Sequence, residues 1–148
     1  MEPAPTGVNG FPGRPCDTYH PGVGFSVRIR IRYNECDVQG IVFNANYLIY
    51  VDETLERWIA EVLGPGVLDM MVKKATVEWH SSATHGEILE LVPVVSRWGT
   101  TSYDLTVTGS VGDRLVFTAT MVYINVIPGT RTPAPVPDHI RAALSTVD

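Results

Sequence analysis

The chain has 148 residues, 45% of them hydrophobic and 18% charged, with a formal net charge of −5. That length fits one domain with a single core, and the composition excludes wholesale disorder. A mildly acidic chain suits neither the phosphates of nucleic acid nor, without an apolar run near the roughly 18 residues of a spanning helix, a membrane.

Residues 1 to 22 carry Pro3, Pro5, Pro12, Pro15 and Pro21 with Gly7, Gly10, Gly13 and Gly22, a density that breaks helix and strand ladders alike. The expectation is a flexible Pro/Gly-rich arm over 1–22, dispensable for folding, and a folded domain over 23–148. No basic stretch precedes an apolar core and cleavage site, so the expected compartment is the cytoplasm. Cys16 and Cys36 form no disulfide framework, and His20, His80, His85 and His139 show no metal-ligand spacing. Neither a metal nor a cofactor is expected.

From Phe25 the chain alternates strictly: Phe25, Val27, Ile29, Ile31 and Tyr33 on one side, Ser26, Arg28, Arg30 and Arg32 on the other. This is the pattern of a half-buried strand with a cationic outer face. Next, Tyr47, Val51, Leu55, Trp58, Ile59 and Val62 recur every three or four positions, opposite Asp52, Glu53, Glu56, Arg57 and Glu61. The spacing predicts an amphipathic helix over about 46–63, capped by Asn44 or Asn46 and stopped by Gly64 and Pro65.

Strands are expected over about 70–80, 87–98, 101–111 and 114–127, the last two joined by a turn at Gly112 and Asp113. Pro93 belongs at an edge or a bulge. Asp138 to Leu144 can form one short closing helix. One strand, one long helix and four more strands describe an α+β domain whose antiparallel sheet must bury a face on that helix.

The most unusual segment is Asn34-Glu35-Cys36-Asp37-Val38-Gln39-Gly40-Ile41-Val42-Phe43-Asn44-Ala45-Asn46-Tyr47, between the first strand and the helix. It resembles the 4-hydroxybenzoyl-CoA thioesterase and YbgC-like branch of the hot-dog superfamily. The resemblance continues through Glu78-Trp79-His80, Gly86-Glu87, Gly99-Thr100-Thr101-Ser102 and Pro137 with Ile140-Arg141. It implies a five-stranded antiparallel sheet wrapped around one long central helix, and hydrolysis of an acyl-CoA thioester.

On the same resemblance Asp37 is the catalytic carboxylate, as nucleophile or as general base. The backbone N–H of Asn44 is the oxyanion donor at the helix start, with Gly40 letting the chain pass close to the acyl group. Asn46, Tyr47, Ser96, Arg97, Thr101 and Ser102 are the candidate substrate contacts. Arg97, then Arg131 and Lys73 or Lys74, are candidates for the CoA phosphates. Which of Tyr47, Tyr50, Trp58 and Trp79 line the pocket is not legible in one dimension.

A homodimer or homotetramer is expected, because one helix covers only part of a five-stranded sheet and the strand from Val116 is apolar on both faces. Two other functions share the pattern. One is a thioesterase releasing an acyl or polyketide chain from an acyl carrier protein docked on Arg28, Arg30 and Arg32. The other is a noncatalytic acyl-binding subunit, against which the acid at Asp37 argues.

Overall fold

The computed structural model describes residues 17–20, 24–66 and 69–145. Six strands, β1 (Asp17–His20), β2 (Gly24–Arg30), β3 (Met70–Trp79), β4 (Ile88–Trp98), β5 (Ser102–Val111) and β6 (Arg114–Asn125), form one antiparallel sheet in the order β1-β2-β4-β5-β6-β3. The helix α1 (Asn46–Leu63) lies between β2 and β3 in sequence, and α2 (Asp138–Leu144) closes the fold.

Five strands and α1 sit where the periodicities put them. The sixth strand, β1, falls inside the stretch expected to be an arm: Asp17 to His20 carry neither Pro nor Gly, so their backbone can pair along Gly24–Val27 of β2. The sheet thus starts before the boundary drawn at 23. The rest of that arm, 1–16 and 21–22, lies outside the described residues.

The core follows from the two periods. Tyr47, Tyr50, Val51, Thr54, Leu55, Trp58 and Ile59 form the buried stripe of α1, and they meet Phe25, Val27, Leu89, Leu91, Leu105, Val107 and Met121 from one sheet face. Trp58 stacks on Phe25 with centroids 6.4 Å apart. The polar intruder, Thr54, donates to the Tyr50 carbonyl at 2.7 Å, which removes the cost of burying its hydroxyl. Gly64 ends α1 at φ 89°, its N–H donating to Ala60.

Alternation in the first strand fails at its end. The ladder stops at Arg30, Tyr33–Glu35 form a 3-10 turn, and Tyr33 is 81% exposed instead of buried. Pro93 is accommodated as expected: the β2–β4 ladder ends at Val27↔Leu91, so at Pro93 that side of β4 is an edge.

Gly109 is required by packing. A Cβ there would meet the Phe117 ring at 2.2 Å, and Phe117 is fully buried against Tyr47, with centroids 4.8 Å apart. Gly109→Ala is therefore expected to cost about 1–3 kcal/mol through overpacking, lowering the melting temperature by roughly 2–10 °C. A calorimetric scan within 1 °C of wild type would contradict this packing.

Tyr103 and Tyr123 stack at 5.6 Å in the core, Tyr103 donating to the Met70 sulfur and Tyr123 to Asp52 Oδ1 at 2.7 Å. Burial pushes both phenols far above their ordinary value, and in Tyr123 the Asp52 carboxylate adds to the effect. A raised folded value means that the unfolded chain loses these protons first. The stabilisation is whole below about pH 10 and drains away as pH rises past it. Denaturant midpoints should fall from pH 10 to 12; a flat profile would place these hydroxyls in water.

Candidate active site

The loop from Tyr33 to Asn44 is held by backbone bonds that its sequence makes available. Asp37 N–H donates to the Ile41 carbonyl at 2.9 Å and Gly40 N–H to the Asp37 carbonyl at 3.0 Å, closing a tight turn with Gly40 at φ 77°. A Cβ at Gly40 would meet nothing within 4 Å, so the glycine answers to its φ and not to crowding from the chain. Val42 N–H reaches the Ala83 carbonyl, and Ile41 bridges Thr84, which fastens the loop to the turn after β3.

Asp37 is half-buried. Its Oδ1 accepts the Gln39 N–H at 2.7 Å, an Asx turn of the ordinary kind. Among the described residues nothing donates to the other oxygen. One carboxylate oxygen is thus anchored and the other uncommitted, which fixes the group while leaving it able to attack or to accept a proton.

At the start of α1, Asn46 N–H donates to Phe43 and Tyr47 N–H to Asn44, whereas the N–H groups of Asn44 and Ala45 have no acceptor among the described residues. These are the open amides that a helix start leaves. The expected caps are corrected here: Ala45 occupies the cap position without a side-chain bond. Asn46 instead turns back, its Nδ2 donating to the Glu35 carbonyl at 2.8 Å. It ties the Asp37 loop to the helix.

Two cavities flank the loop. One, of about 310 Å³, is lined by Ile41, Val42, Asn44, Tyr47, Trp79, His80, Ser81 and Ser82. Trp79 is 48% exposed and meets Tyr47 edge to face at 6.1 Å, so Tyr47 and Trp79 form an aromatic wall while Tyr50 and Trp58 belong to the core. Burial raises the Tyr47 hydroxyl, with the Ala83 backbone working the other way. The second cavity, of about 550 Å³, is lined by Tyr33, Cys36, Asp37, Val38, Gly40 and His85. Asn44 thus lines the first cavity and Asp37 the second.

The Ser81–Thr84 turn that walls the first cavity is clamped. Arg114 donates to the Ser82 carbonyl and pairs with Glu87 at 2.7 Å, and Glu87 accepts the Thr84 N–H at 2.9 Å. Partial burial works upward on the Glu87 carboxyl, but the Thr84 N–H and Arg114 hold it below its ordinary value.

The chain does not bring the remaining expected contacts to Asp37. Ser96, Arg97, Thr101 and Ser102 lie at the far end of β4 and the start of β5, nine residues along β4 from Ile88, or roughly 30 Å at strand rise. Their bonds are local. Arg97 pairs with Asp104 at 2.8 Å, and Ser96 shares a hydrogen bond with Thr106 on the face turned away from α1. The Thr101 carbonyl accepts the Asn125 N–H, and Arg141 holds the Gly99 and Thr100 carbonyls while lying over Trp98 at 5.3 Å. This turn is where the tail and α2 dock.

Tyr33 and His85, edge to face at 5.9 Å, escaped the sequence reading although they share the Asp37 cavity. Among the described residues no three His, Cys, Asp or Glu side chains gather closely enough for a metal, and no helix is long and apolar enough to cross a membrane.

A family model, the Thioesterase-like superfamily, matches residues 31–144. The chain belongs to that superfamily. No curated protein matches it in sequence. Among solved structures the superfamily member resembles a thioesterase-superfamily protein from Jannaschia sp. CCS1 at 22% identity and TM-score 0.77, over 86% of this chain and 94% of that one. It also resembles a 1,4-dihydroxy-2-naphthoyl-CoA thioesterase from Synechocystis at 16% identity and TM-score 0.69, over 81% and 94%. A thioesterase from Thermus thermophilus, complexed with coenzyme A and Zn, matches at 20% identity and TM-score 0.71, over 80% and 90%. At these identities the likenesses speak for the fold, which is the hot-dog α+β fold.

Proposed function

We propose that the protein hydrolyses an acyl-CoA thioester to free acid and CoA at Asp37. The observation that carries this reading is a carboxylate anchored through one oxygen, with the other uncommitted, on a loop tied to a helix start that offers two open amides. Those amides and the positive end of the helix dipole suit the oxyanion that forms when a thioester carbonyl is attacked. The solved structure named as a 1,4-dihydroxy-2-naphthoyl-CoA thioesterase and the thioesterase complexed with coenzyme A support the substrate class.

The acyl group occupies the aromatic-walled cavity. Its roughly 310 Å³ is at the small end of ligand pockets, which favours a short or single-ring acyl group over a long chain. A panel of short, long, branched and aromatic acyl-CoAs, with carrier-protein thioesters alongside, tests this. Turnover should be best for benzoyl-type or short acyl-CoAs. A panel with no turnover above buffer would leave the acyl-binding reading in its place.

The working unit is a dimer built on the free edge of β3. That ten-residue strand pairs only with β6 among the described strands, and Met71, Val72 and Trp79 on it are 44–48% exposed. An apolar open edge of that length is an invitation to a second copy. Localisation in the cytoplasm is part of the same reading.

A further inference from the structure

The three arginines expected on the cationic outer face of the first strand line a groove of about 720 Å³ between the end of β2 and α1, together with Tyr33, Glu35, Glu53, Arg57 and His85. Four arginines and two glutamates line the groove; Glu53 pairs with Arg57, Glu35 accepts the Arg32 backbone N–H at 2.7 Å, and Arg30 is itself partnered.

Arg28 gives the sharper signal. Its Nε is buried and has no hydrogen-bond partner. A buried N–H of a charged group without an acceptor is costly, and an anionic oxygen is the acceptor that relieves the cost best. The groove is also continuous with the candidate site, because Tyr33 and His85 line both it and the Asp37 cavity.

We propose that this groove binds the phosphates of the coenzyme A leaving group, with the pantetheine arm passing over Tyr33 and His85 to the thioester at Asp37. The assignment rests on the acyl-CoA reading and moves the phosphate site away from Arg97, which is already paired to Asp104. A concave groove of this size suits a nucleotide.

The test uses the full chain and adenosine 3′,5′-bisphosphate as probe. In Arg28→Gln its Kd should rise about tenfold or more, since a charged hydrogen bond is lost. The KM for acyl-CoA should rise in step with little change in kcat, so the preference for acyl-CoA over the matching acyl-pantetheine shrinks. Arg28→Lys keeps the charge but not the Nε–H, and should fall between the two. Unchanged bisphosphate affinity in a folded Arg28→Gln overturns the proposal.

Should that variant not fold, hydrogen exchange in the wild type decides. The bisphosphate should slow exchange over residues 28–33, whereas protection of 96–102 alone would return the site to Arg97 and refute the groove. Both binding readouts are independent of turnover. A protein that hydrolyses no acyl-CoA yet binds the bisphosphate through Arg28 would refute the enzymatic reading and leave the groove as a nucleotide-phosphate site only.

Discussion

Asp37→Asn is expected to lower kcat for thioester hydrolysis about a hundredfold or more while leaving the melting temperature within a few degrees of wild type. The geometry explains why the two should separate. The structural task of Asp37 is to accept the Gln39 N–H through Oδ1, and the carbonyl oxygen of an asparagine can accept the same bond. The backbone turn around it, with Asp37 bonded to Ile41 and Gly40 to Asp37, involves no side chain. What asparagine cannot supply is the negative charge on the second oxygen. Attack on the thioester carbonyl and removal of a proton from water both depend on that charge. Binding should survive, since the open amides at Asn44 and Ala45 and the Tyr47–Trp79 wall are untouched. The measurement is release of thiol from the best acyl-CoA at matched folded concentration. Turnover within a few-fold of wild type would mean that Asp37 is only the turn cap that its Oδ1 makes it.

How much of this was legible in the sequence depends on whether a feature is local. The α1 stripe, the Gly64 stop and the four later strands are set by period and by turn residues, and they appear where those signals stand. Tyr33 continues the alternation by residue type, but the chain leaves the ladder after Arg30 and turns, so the pattern outruns the strand. β1 was hidden because proline density averages over a segment, whereas pairing needs only four residues free of it.

The candidate site divides in the same way. Asp37, Gly40, Asn44, Asn46 and Tyr47 are neighbours in sequence, and the structure keeps them on one loop and helix start. Tyr33 stays beside Asp37 because the chain turns at Tyr33–Glu35, and His85 joins them because Ile41 bridges Thr84, a tertiary event with no local signature. Thr101 and Ser102 carry a family-like pattern, yet in this chain the turn that holds them serves the docking of Asn125, Arg141 and the tail. A shared pattern does not by itself say which duty it records.

Lys74→Glu alone, or Glu78→Lys alone, is expected to weaken the dimer, and the two together to restore it. Both side chains are exposed on β3, and neither makes an ion pair with any described residue. The strand is interrupted by a bulge between Val72 and Lys74, which leaves Lys74 to Trp79 as the regular stretch of the free edge. If two copies pair antiparallel about a two-fold axis at Thr76, the positions facing each other add to twice 76. Lys74 then faces Glu78 of the partner subunit, and the reverse pair forms on the other side of the axis. Each cross-strand pair of opposite charges is worth roughly 0.2–1 kcal/mol, and a like pair costs a similar amount. A two-fold interface counts every substitution twice, so one reversal shifts the balance by about 1–4 kcal/mol, or roughly five- to several-hundredfold in Kd. Sedimentation equilibrium across a concentration series reads this directly against the 16.2 kDa monomer. A double variant no tighter than either single one would rule out this register, and a wild type that stays at 16.2 kDa at micromolar concentration would rule out the β3 dimer itself.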